Sequence, residues 1–259
     1  MRPTIGTYEW TEQYDGKMNP SEKLSMIGML VRTQIEDLWE RSFLGQRSLK
    51  IKRAKVDLDK VVLPDTSIIE EAVQYVSDAY PTSMLKHCYR TYYWGSLLAQ
   101  YDDLELDAEL FLLANLFHDL GLTDGLIAEA KTSCFTRQSG RVGAQFVRER
   151  GWDEGKGRRL YQAISLHLNP WIDSHLYGAE EALVGAAATL DLLGVYHQRI
   201  PVEMIRCVNS KYNRTDLNRD FAGRMDQSHH HSDTRACFYA RMGATKLLTQ
   251  NPLNRPEFQ

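Results

Sequence analysis

Apolar positions recur at helical spacing along most of the chain, and no stretch alternates apolar and polar residues for long enough to suggest a strand. The first helical pattern covers residues 21–40, where Leu24, Ile27, Leu30, Val31, Ile35 and Leu38 fall on one side. It reads as an amphipathic helix packing that side on the main core. Residues 1–20, punctuated by Pro3, Gly6, Gly16 and Pro20, read as irregular. Ser21 reads as the N-cap, with no capping box evident. Residues 45–60 carry Arg47, Lys50, Lys52, Arg53 and Lys55 and read as a solvated face or loop. Beyond Pro64 the periodicity predicts helices over 66–80, 83–101, 107–120, 140–150, 157–168, 179–196, 202–212 and 232–250, with a polar loop before the last. The expected architecture is all-α: an N-terminal helical extension over 1–60, a helical body over 61–250 and a tail over 251–259.

Two of these helices are apolar on nearly every side, and both contain a carboxylate. Residues 108–124 end their apolar run on His118 and Asp119, and residues 179–196 enclose Asp191. A helix that is hydrophobic all round belongs in a protein interior, where an unpaired charge is costly. One such Asp is equally well read as a carboxylate held by an arginine or by helix N–H groups. Two of them, together with His87 on a third helix, read better as a ligand set. His87, His118, Asp119 and Asp191 supply two imidazoles and two carboxylates, a donor set suited to a divalent ion, zinc first, with iron, manganese, cobalt and nickel as alternatives. Such an ion lowers the pKa of a water bound to it toward neutrality. Arg90 shares a stripe with His87, Thr91 and Trp94, where it can brace a carboxylate or meet an anionic substrate.

Composition narrows the partners. The 259 residues are 43% hydrophobic and 25% charged, with a net charge of -3, so neither nucleic acid nor an anionic membrane is attracted globally. Cys88, Cys134, Cys207 and Cys237 form no CxxC pair and suggest a reducing compartment. No secretory pattern opens the sequence, and no apolar run approaches the ~18 residues of a membrane span. The expectation is a cytoplasmic protein with a small-molecule substrate, in which homo-oligomerisation is left open. His229-His230-His231 lies in the polar loop and reads as flexible, at best an adventitious metal binder.

The order His87, His118-Asp119, Asp191 resembles the H…HD…D signature of the HD-domain superfamily of metal-dependent hydrolases. The resemblance covers most of residues 64–250 and implies an all-α HD-domain bundle. Four stretches resemble the cyanamide-hydratase-like group in particular: His87-Cys-Tyr-Arg-Thr-Tyr-Tyr-Trp, His118-Asp-Leu-Gly-Leu-Thr-Asp, Ala163-Ile-Ser-Leu-His and Ala188-Thr-Leu-Asp-Leu-Leu-Gly. A fifth departs from that group's pattern, with Thr136 where a Glu is expected. The resemblance implies His167 near the metal, as an acid/base or as a ligand to a second ion; the alternative is a helix-terminal His facing the dipole. Asp124, following Gly121, is a candidate proton carrier, with Thr123 and Arg90 as candidate substrate contacts. The function implied is hydration of a small nitrile, of the cyanamide-to-urea type. The alternative is a phosphohydrolase acting on a nucleotide or other phosphate ester, which needs Arg90, Arg137 or Arg141 on the phosphoryl oxygens. A degenerate HD domain serving only as an interaction module fits less well, because all four ligand positions are intact.

Overall fold

A computed structural model describes residues 2–259. They form fourteen α-helices joined by turns and short 3-10 segments, and no strand occurs among the described residues. The helices are α1 Tyr8–Tyr14, α2 Pro20–Arg41, α3 Phe43–Arg53, α4 Ser67–Ala79, α5 Thr82–Tyr101, α6 Ala108–Phe117, α7 Phe135–Glu149, α8 Glu154–Leu166, α9 Ser174–Tyr177, α10 Ala179–Leu193, α11 Val202–Lys211, α12 Leu217–Arg224, α13 Arg235–Arg241 and α14 Ala244–Thr249.

The core is the packing of α5, α6, α8 and α10. Helix α10 lies along α5 and α8, α6 touches α4, α5 and α8, and α7 covers α8. Every residue of α6 from Leu110 to Phe117 is buried, as its unbroken hydrophobicity requires. Trp94, Leu97, Phe111, Phe117, Ile164 and Leu190 join in one apolar cluster with its neighbours.

The N-terminal region differs from its sequence reading in four ways. Residues 8–14 are helical: the Thr7 side chain caps α1, and buried Trp10 donates from its indole to Glu22 at 2.8 Å. Asn19, not Ser21, caps α2, and Glu22 completes a capping box by accepting from the Asn19 N–H. The box was hidden because its cap stands one residue before Pro20. The basic stretch contains α3, capped by Ser42 and ending on Lys50, Lys52 and Arg53, which complement its C-terminal dipole. Most consequentially, the apolar side of α2 does not face the core. Leu24, Ile27, Val31, Ile35 and Leu38 are exposed, while Glu22, Met26, Thr33 and Glu40 point inward. Periodicity identifies a helix's apolar face but not what covers it.

The C-terminal third departs as well. The polar loop contains α12, and residues 232–250 are two helices, separated at Gly243 with φ +80. The His229–His231 loop is fixed rather than free. His230 is buried and donates from Nε2 to the Arg224 carbonyl, and the His231 backbone N–H donates to the Ala130 carbonyl.

Candidate metal centre

Three helix segments converge on one buried point. His87 comes from the second turn of α5, His118 and Asp119 from the residues immediately after α6, and His167 from the end of α8. The chain leaves α6 into a 3-10 turn at Leu120–Leu122. That turn is locked against the start of α7: the Gly121 N–H donates to Ser139 Oγ, and a Cβ at Gly121 would lie 2.3 Å from the Phe135 carbonyl oxygen. Only glycine permits this approach, so it fixes where the His-Asp pair points.

Three imidazoles are oriented in the same way. His87 Nδ1 donates to Asp191 Oδ2 at 2.7 Å, His118 Nδ1 to the Asn115 carbonyl at 2.8 Å and His167 Nδ1 to the Ile164 carbonyl at 2.6 Å. These bonds assign the proton to Nδ1 in each ring and leave the Nε2 lone pairs facing inward. His87 Nε2 lies 3.2 Å from His118 Nε2 and 3.5 Å from Asp119 Oδ2. His118 Nε2 is 3.2 Å from Asp119 Oδ2, and His167 Nε2 is 3.6 Å from Asp119 Oδ1. Asp119 Oδ2 is buried and has no hydrogen-bond partner.

Lone pairs aimed at one another and at an orphaned carboxylate oxygen repel unless a cation sits among them. The ligand atoms of His87, His118 and Asp119 all lie within 4.8 Å of one another, which suits a divalent ion. The donor set therefore fits the metal that its chemistry implies. Burial opposes charge on His87, yet its contacts with Asp119 and Asp191 raise its pKa on balance. Burial would raise the Asp119 pKa, but His118, His87 and His167 together hold it far below the usual range.

Asp191 lies behind His87 rather than among the clustered ligand atoms. Its carboxylate accepts from Arg90 through both Nε and Nη2 at 2.8 Å, from Arg214 Nη1 at 2.7 Å and from Trp94 Nε1 at 2.8 Å, besides His87. Arg90 and Arg214 hold its pKa well below normal against the effect of burial. Arg90 uses Nη1 on the Tyr212 and Asn213 carbonyls and is fully buried, so it braces Asp191. Asp124 points away from the centre: its side chain is 92% exposed and pairs with Arg224. The Thr123 hydroxyl donates to the Leu120 carbonyl and closes the turn, so neither residue of this pair reaches the metal centre. Thr136 is buried and accepts from Arg235, a buried arginine that also donates to Asn169 Oδ1.

The centre opens on a cavity of about 190 Å³. His118, Asp119 and His167 form its polar end. The remaining wall comes from Leu30, Thr33 and Gln34 of α2, Ala188, Thr189 and Leu192 of α10, Phe221 and Met225 around the end of α12, and residues of α13 and α14. Among the described residues, no lysine or arginine lines it. Sequence reasoning missed this wall, because its members are ordinary apolar residues from distant segments. It also missed Arg214, which no spacing rule connects with Asp191.

A buried His/Asp cluster at the convergence of α5, α6 and α8 forms a candidate metal centre in an all-α bundle. The family model for the HD domain matches residues 84–198, which include His87, His118, Asp119, His167 and Asp191. Over that stretch, which is under half of the chain, the sequence is similar to the HD domain of metal-dependent hydrolases. No curated protein matches the chain.

Proposed function

We propose that the protein adds water to a small uncharged substrate, with a nitrile of the cyanamide type as the leading candidate. The cavity carries this reading. At about 190 Å³ it is smaller than the ~300–1,000 Å³ of common ligand pockets. Its wall is apolar, and a phosphate ester would enter it without a cationic side chain to meet it. The arginines that a phosphohydrolase needs are committed elsewhere. Arg90 holds Asp191, while Arg137 and Arg141 both pair with Glu12.

When bound, a divalent cation supplies Lewis-acid chemistry, polarising an electrophile and acidifying water. His87, His118 and Asp119 would hold it. Asp191 keeps His87 in the tautomer that presents Nε2, and Arg90, Arg214 and Trp94 keep Asp191 ionised and in place. His167 stands at the cavity end of the site. Burial and the neighbouring His118 bring its pKa down to about 3, so it is neutral at physiological pH. With its proton on Nδ1, its Nε2 lone pair can accept a proton from water and return it to the substrate nitrogen. The apolar wall excludes bulk water from the reacting atoms.

The test is to load the purified protein with zinc, iron, manganese, cobalt or nickel in turn. Each form is then assayed for urea from cyanamide and for phosphate from nucleotides and simple phosphate esters. Urea formation that depends on metal supports the proposal; metal-dependent phosphate release without urea overturns it. His167→Asn should retain the metal and lose about 100-fold or more in turnover, as expected on removing a general acid–base group.

A further inference from the structure

The outward face of α2 is apolar where solvent favours polar residues. Leu24, Ile27, Val31, Ile35 and Leu38 are 68%, 43%, 51%, 60% and 65% exposed. Their spacings are three, four, four and three, which read the same from either end and centre on Val31. At 100° per residue, the five side chains fall within an arc of about 80°. Laid antiparallel on itself, this stripe matches Val31 with Val31, Ile27 with Ile35 and Leu24 with Leu38. Such self-matching is the requirement of a contact across a two-fold axis.

A further observation points to a helix as the occupant. Gly28 borders the stripe in the interior of α2, and a Cβ there would meet no atom of the chain. The monomer fold therefore gives no reason for a residue that disfavours helix, whereas a second helix approaching closely does. Opposed helix dipoles favour the antiparallel direction.

We infer that two copies of this chain pair through antiparallel α2 helices, with the two-fold axis at Val31. The pairing also bears on the cavity, because Thr33 on the inward side of α2, with Leu30 and Gln34 beside the stripe, forms part of its wall. The inference is independent of the reaction catalysed.

Sedimentation equilibrium at micromolar concentration should give twice the chain mass, and Val31→Asp, which sets like charges on the axis, should give the monomer mass. In a Cys207→Ser background, which removes the exposed native thiol, Val31→Cys should form a disulfide with its own copy under mild oxidation. Leu24→Cys alone should not cross-link, but mixed with Leu38→Cys it should. This cross-linking pattern decides the matter even if Val31→Asp fails to fold. A monomeric wild type, an unchanged mass for Val31→Asp, or self-linking of Leu24→Cys would each overturn the proposal. So would monomers that bind anionic vesicles through α2 and do not self-associate.

Discussion

Asp191 shows how one side chain can serve a metal centre from behind a ligand. It is fully buried, and its oxygens take hydrogen bonds from His87, Arg90, Arg214 and Trp94. Asp191→Asn keeps the shape but leaves two buried guanidinium groups without the carboxylate they share. Breaking a buried pair in this way costs about 3–5 kcal/mol. A fall in melting temperature in the presence of a chelator should report it, since no metal then contributes. In the same variant, metal affinity should drop about 10–100-fold, the usual effect of losing the partner that orients a ligating His; competition with a chromophoric chelator measures it. A second buried carboxyl has weaker support, with Arg159 Nε 4.0 Å from Glu181 Oε1. Glu181 is 1% exposed, its Oε2 has no partner, and burial raises its pKa to about 7. The folded chain thus retains a proton that the unfolded chain releases near pH 4.5, so this group's contribution to stability is full below that pH and is lost as pH rises through 7. Glu181→Gln should therefore stabilise the protein by at most about 3 kcal/mol at pH 8 and hardly at all near pH 4. Urea titrations at the two pH values check the difference. The contrast explains what could be read from residues alone. Costly carboxylates in apolar helices marked Asp119 and Asp191 correctly as buried, but their partners come from other parts of the chain. Asp191 as a brace, Arg90 as its holder and Asp124 as a surface residue are properties of those partners.

At the level of elements, the centre depends on how closely α10 approaches the end of α8. A Cβ on Gly185 would lie 2.8 Å from the His167 carbonyl oxygen and 3.2 Å from its Cα. Gly185→Ala must push the helices apart there, at a cost of about 1–3 kcal/mol typical of overpacking. Because His167 moves and His87, His118 and Asp119 do not, metal content should persist while turnover falls. Metal analysis and kinetics on the same preparation separate the two. The helices of the core were legible because α5, α6, α8 and α10 pair long apolar runs with clear breakers. Helices α1 and α12 were not: they have seven and eight residues, and they are held by Trp10 and by Leu217 and Phe221 packing into distant neighbours. Helix α2 was recognised as a helix but assigned the wrong covered face, since an apolar stripe made for another chain has the same period as one made for the core.

Among the described residues of the whole molecule, no helix is long and apolar enough to cross a membrane. The cavity extends well outside the matched residues 84–198, drawing on α2 from one side and on α12, α13 and α14 from the other. Ala244→Leu, on α14 and away from the imidazoles, should narrow the cavity. KM for the substrate should rise several-fold while metal content and the folded spectrum stay unchanged; steady-state kinetics with parallel metal analysis measures this. The division between the two parts of the site has a practical consequence. The imidazoles of the candidate centre lie on α5, α6 and α8, while much of the cavity wall comes from α2 and from α12 to α14. Replacing the stretch from 217 to 250 would alter which molecules enter while leaving the reactive imidazoles in register. The chain is therefore suited to engineering in which selectivity is redrawn and reactivity is inherited.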